Sequence, residues 1–121
     1  MSTGLTPERV FEHWSQVVEA DPRSFNRFAG RYKWSLEGEQ GGSWLFDCVS
    51  KQARVIKESR DSADFEIQLT CDNFLSLARG ELNPQLGFLE KQLRVSGKTK
   101  YVLRFNLLLD SLLQKTSFSE P

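Results

Sequence analysis

From Ala63 to Leu109 the apolar residues change period repeatedly, and that confines the chain to a sheet interleaved with helices. Phe65, Ile67 and Leu69 alternate with polar neighbours, as a strand with one dry face requires. Thr70 can cap a helix predicted over 71–79, which buries Phe74, Leu75 and Leu77 or Ala78 and stops at Gly80. Asn83-Pro84 opens another helix reaching about residue 90. A strand over 92–96 follows, then a long apolar helix over about 98–114.

Upstream the same two periods recur. Thr6 is the N-cap of a first helix, Pro7 its first residue, and Leu5 and Val10 occupy the staple positions. Val10, Phe11, Trp14, Val17 and Val18 form one stripe, which Asp21-Pro22 ends. A shorter helical turn over 23–29 offers Phe25 and Phe28 and closes at Gly30. Tyr32, Trp34 and Leu36 then alternate with Lys33, Ser35 and Glu37 in a strand, and Gly38 to Gly42 reads as a flexible hairpin turn. Further strands are predicted over 43–49, where Trp44, Phe46 and Cys48 share a face, and over 54–58 and 63–69. The short links between them favour an antiparallel meander. The expectation is one α+β domain over 1–121. Its five-stranded, mostly antiparallel sheet is a single layer covered by four to five helices, with an apolar cavity between them. The core spans about 6–114, and the tail 115–121 is frayed.

Charge and cysteine usage narrow the function classes. Lys plus Arg and Asp plus Glu balance at 16 each, so the chain as a whole has no pull toward nucleic acid or an anionic membrane, which leaves room only for a local basic patch. Residues 101–113 are interrupted by Arg104 and Asp110 and are too short to span a bilayer, so no stable membrane insertion is expected. The N-terminus lacks the basic and apolar regions of a signal peptide, and SFSEP at the C-terminus is not a peroxisomal Ser-Lys-Leu address. Two cysteines are too few for a disulfide framework. A cytoplasmic protein is expected.

Catalytic chemistry finds little support. His13 is the only histidine and falls on the polar side of the first helix. One His and two distant Cys supply no metal-ligand spacing. Cys48, in step with Trp44 and Phe46, reads as a small core residue. Cys71, in the first turn of a helix, could have a lowered pKa, although its capping context explains its position without reactivity. Gly38 to Gly42 lacks the Lys-Ser/Thr and helix of a phosphate-binding loop. No catalytic residue, metal or cofactor is expected.

The stretch ADFEIQLTCDNFLSLARGELNPQLGFLEKQLRVSG resembles the signature of the sterol carrier protein type 2 family, the non-specific lipid-transfer domain. The matching features are Asp64 in the strand, Gly80 ending the helix, Leu82-Asn83-Pro84-Gln85, Phe88, and the strand from Leu93 to Gly97. The upstream helix and strands fit as well. The chain departs at Glu90-Lys91-Gln92, where the family usually has Gly-Lys, and at Lys98, where Asp often stands. The resemblance implies a broad apolar tunnel that accepts fatty acyl groups, sterols and phospholipids, with Gln85 placed to meet a polar head.

The last helix carries more apolar surface than docking requires. Tyr101, Val102, Phe105, Leu108, Leu109, Leu112 and Leu113 make one broad face. Leu103 and Leu107 lie on the other side, one turn apart, and are candidates for contact with a partner. The expected ligand-binding residues are Trp34, Trp44, Phe46 and Phe65 from the sheet, together with Phe74, Leu77, Gln85, Phe88, Leu89, Phe105, Leu108, Leu109 and Leu112. Three functions fit this pattern. The chain is a carrier of lipid or another hydrophobic small molecule, a subunit presenting a quinone-type substrate to a partner enzyme, or a homodimeric interaction module with a collapsed cavity.

Overall fold

The computed structural model describes residues 4–49, 52–58 and 61–116. Within them the order is α1 (Pro7–Ala20), α2 (Pro22–Asn26), β1 (Arg31–Glu37), β2 (Gly42–Asp47), β3 (Arg54–Lys57), β4 (Phe65–Thr70), α3 (Cys71–Ala78), α4 (Pro84–Leu89), β5 (Leu93–Gly97) and α5 (Lys100–Lys115). Most of the expected tail lies outside the described residues. Element ends shift from the expected ones by a few residues, most at α2, which stops at Asn26 rather than running to Ala29.

The local signals act through hydrogen bonds. Thr6 Oγ1 accepts from the Arg9 N–H at 3.3 Å, and Thr70 Oγ1 from that of Asn73 at 3.1 Å. Asn83 Oδ1 takes the N–H groups of Gln85 and Leu86, at 2.9 and 3.2 Å, so α4 starts where Asn-Pro dictates. After α3 the chain turns through Gly80 at φ 79, a left-handed conformation that glycine adopts without strain.

The sheet runs β3-β2-β1-β4-β5. Three of its neighbour pairs are antiparallel and β1–β4 is parallel, so the sheet is mixed and the simple meander does not hold. The reason lies in burial. β1 buries Tyr32, Trp34 and Leu36 and takes the central place. β4 sets Phe65, Ile67 and Leu69 beside them in register. β3, four residues long and exposed at both ends, serves as an edge.

The opposite face of the sheet is polar, where Ser35 Oγ donates to Glu66 Oε2 at 2.7 Å. Leu45, buried on that side, and its half-buried register partner Ile56 are apolar exceptions. The core therefore lies on one face, between the sheet and α1, α3 and α5.

Candidate functional site

The apolar interior is built from three directions. The sheet supplies Trp34, Trp44, Phe46 and Phe65, α3 supplies Phe74 and Leu77, and α5 supplies Phe105, Leu108, Leu109 and Leu112; all ten are buried. These expected site residues are brought together in one cluster. α1 adds two that the sequence reading assigned only to a helix stripe, Phe11 and Trp14. Phe11 is sandwiched, with Trp44 stacked at 4.4 Å and Phe74 at 4.9 Å between centroids. Their spacing along the stripe was the available signal, because the residues of a covering helix that face a sheet also face whatever lies on it.

Trp34 sits at the middle of the cluster. Its ring lies 5.3 Å from Phe74, 5.3 Å from Phe105 and 5.8 Å from Trp14. The polar atoms nearby differ in how they are satisfied. Tyr32 donates its hydroxyl hydrogen to the Phe28 carbonyl at 2.6 Å, and Trp14 Nε1 donates to Thr116 Oγ1 at 3.4 Å. Trp34 Nε1 is buried and has no hydrogen-bond partner among the described residues. An unsatisfied buried donor costs about 1–3 kcal/mol.

The Cys48 thiol and the Tyr32 phenol of the interior are shifted toward their neutral forms. Burial, aided by the neighbouring Asp47 charge, pushes the Cys48 thiol up to about 12, and burial likewise raises the Tyr32 phenol, with Cys48 adding to it. Cys71, for which helix position suggested a lowered pKa, is instead raised, first by burial and then by Asp72. The two N–H contacts from Gln40 and its own backbone are outweighed. No group of three or more His, Cys, Asp or Glu side chains that could hold a metal ion occurs among the described residues.

Three expected site residues are not part of this cluster. Gln85, Phe88 and Leu89 are exposed, Phe88 at 51% and Leu89 at 73%. α4 is only six residues long and turns Gly87 inward, where a Cβ would lie 3.3 Å from Leu93 and 3.4 Å from Leu82. The close approach at glycine sends the larger neighbours outward. On α5 the apolar face is narrower than expected, with Val102 exposed and Tyr101 and Leu113 half-buried. Leu103 and Leu107 are exposed, at 66% and 50%. Among the described residues no helix is long and apolar enough to cross a membrane.

Comparison with known proteins gives a consistent result. The family model described as the SCP-2 sterol transfer family matches residues 11–110. Hydroxysteroid dehydrogenase-like protein 2 of Homo sapiens is 30% identical over 82 residues, which are 67% of this chain but only 20% of that protein. The chain thus corresponds to about a fifth of that relative's length. Among solved structures, sterol carrier protein 2 from Yarrowia lipolytica in its apo form has a TM-score of 0.75 at 21% identity, covering 93% of this chain and 96% of that one. Sterol carrier protein 2 from Aedes aegypti in complex with palmitate has a TM-score of 0.68 at 17% identity, over 90% and 98%. A ubiquinone synthesis protein, UbiJ-SCP2, has a TM-score of 0.62 at 16% identity, over 87% and 93%. At these identities the likeness is one of fold.

Proposed function

Because the chain belongs to the SCP-2 sterol transfer family, we propose that it carries a hydrophobic molecule between the sheet and helices α1, α3 and α5. The ligand is a fatty acyl chain or a sterol-like lipid with an oxygen at one end. The observation that carries this is the aromatic interior with Trp34 Nε1 at its centre, a buried donor that lacks an acceptor. A ligand oxygen placed there would satisfy it. Palmitate bound by the Aedes aegypti protein, a structure of the same fold, supports the choice of ligand class.

The energetics suit a carrier. Each methylene withdrawn from water contributes about 0.8 kcal/mol, so a long acyl chain gains on the order of 10 kcal/mol before ordering costs. The chain's own rings occupy the space, and the ligand must part them and the helices above. That parting lowers the net affinity to the micromolar range or somewhat tighter. Selectivity is loose, since an apolar wall distinguishes one methylene by about 1–3 kcal/mol. Burial raises the pKa of the thiol and phenol lining the interior, which makes both weaker nucleophiles and suits binding.

A second function, presentation of a quinone-type substrate to a partner enzyme, draws support from the fold shared with the ubiquinone synthesis protein. Native mass spectrometry of freshly purified protein, with organic extraction, distinguishes them. A co-purified acyl or sterol-like lipid supports the carrier, and a prenylated quinone supports presentation. Protein that arrives empty and also fails to take up a fluorescent fatty acid refutes both.

A further inference from the structure

The outer side of α5 and the adjoining α2 form a surface unlike the rest of the molecule. A cleft of about 390 Å³ lies between α5 and the turn that follows α2, lined by Arg27, Phe28, Arg104, Leu107, Asp110, Ser111 and Gln114. Arg27 Nη2 donates to Ser111 Oγ at 3.4 Å, and Arg104 Nη1 to the Ala29 carbonyl at 3.1 Å. Each guanidinium thus spends one N–H on a neutral oxygen and keeps others for a further acceptor. Neither forms a salt bridge among the described residues, although Asp21 and Asp110 are nearby.

The cations on this face rest on aromatic rings: Arg27 4.9 Å from Phe28, Arg104 5.4 Å and Lys100 5.3 Å from Tyr101, and Lys115 5.6 Å from Phe25. Beside them stand Leu103 and Leu107, one helical turn apart and exposed.

Charge is segregated to match. Residues 21–27 and 98–116 hold six cations (Arg23, Arg27, Lys98, Lys100, Arg104, Lys115) against Asp21 and Asp110, in a chain whose net charge is zero. The remainder therefore carries a surplus of four acidic groups. The outer side of α1 exposes Glu8, Glu12 and Glu19 against Arg9 and would be repelled by an anionic surface. Cations flanking exposed leucines on a helix suit the boundary of an anionic bilayer, where the charges meet headgroups and the leucines reach the acyl region.

We propose that the face of α2 and α5 is a peripheral docking surface for an anionic lipid bilayer. The Arg27–Arg104 cleft receives a lipid headgroup anion, and Leu103 and Leu107 enter the headgroup layer. This surface stands apart from the interior, which could fail to hold a ligand while docking persisted.

Co-sedimentation of the full chain with vesicles tests it, using phosphatidylcholine alone and phosphatidylcholine mixed with phosphatidylserine. The protein is expected to bind the mixed vesicles, and to lose them at high salt. Each cation near an anionic leaflet is worth about a factor of five, so Arg27→Gln with Arg104→Gln should weaken binding roughly 25-fold. Lys98→Gln with Lys100→Gln, which remove no described hydrogen bond, should act in the same direction should Arg104→Gln impair folding. Leu103→Ser with Leu107→Ser should weaken it about tenfold, and Lys33→Gln with Arg94→Gln, on the polar sheet face, should leave it unchanged. Melting curves and uptake of a fluorescent fatty acid monitor the fold and the interior separately.

Equal binding to neutral vesicles, or wild-type binding by both cation variants, overturns the proposal. So does inorganic phosphate bound as tightly as the vesicles, which would make the cleft a site for a soluble anion. A dimer that Leu103→Ser with Leu107→Ser dissociates, without vesicle binding, would assign the leucines to self-association instead. Failed fatty acid uptake with docking intact would count against the interior site alone.

Discussion

Replacing Trp34 by Phe removes one N–H and part of a ring from the centre of the interior. The truncation itself leaves space among Phe74, Phe105 and Trp14, whose rings lie 5.3, 5.3 and 5.8 Å away. That disturbance acts on any ligand, so affinity for one ligand cannot isolate the N–H. A cycle that varies the ligand as well can. A long-chain alcohol and the matching alkane are each titrated against wild-type and Trp34→Phe protein, by displacement of a bound fluorescent acyl probe. The packing change is common to both ligands and cancels.

What survives is the hydrogen bond between Nε1 and the ligand oxygen. A typical net value is about 0.5–1.5 kcal/mol, because bonds to water are exchanged. Nε1 has no protein acceptor to give up, which places the expectation near the upper end, about tenfold. The alcohol should therefore lose about ten times more affinity than the alkane. Equal losses for the two would refute a ligand oxygen at Trp34, whatever the absolute affinities.

Other expectations follow from single contacts. Phe105→Ala empties the space between Trp34 and Phe65, at 5.3 and 5.5 Å, and should cost about 3–5 kcal/mol of stability; the denaturant midpoint should fall at unchanged slope. The exposed Glu8–Lys57 pair, at 2.8 Å, lowers the Glu8 pKa first through the hydrogen bond and then through the Lys57 charge. A folded pKa below the unfolded one contributes stability that is present above the unfolded value and lost as pH falls through the folded one. The small stability difference between wild type and Glu8→Gln should therefore close in acid, and shrink in high salt at neutral pH. Cys48, buried and with its thiol pushed up to about 12, should resist thiol reagents at pH 8 in native protein and react on unfolding; prompt native labelling at that residue would contradict its placement.

Much of this architecture was legible along the chain because its signals are short in range. Thr6-Pro7, Thr70 and Asn83-Pro84 each announce a helix start, and each does so by bonding to backbone N–H groups two or three residues away. Alternation in 65–69 states which side of a strand is dry, and the ten buried residues of the central cluster could be named from such faces. Position relative to other elements was less legible. Phe88 and Leu89 look like wall residues in sequence, yet Gly87 is the residue that faces in. A six-residue helix carries too few turns for its stripe to be read.

The amino-acid sequence by itself determined which segments are helices and strands and most of their apolar faces. Only the tertiary structure decided that β4 lies parallel beside β1, that Trp34 Nε1 is left without an acceptor among the described residues, and that Arg27, just after α2, shares one cleft with Arg104 of α5. The physical reason is range. Caps and periods are set by neighbours a few residues apart, whereas strand partners, orphaned donors and charge clusters arise when residues distant along the chain compete for the same space.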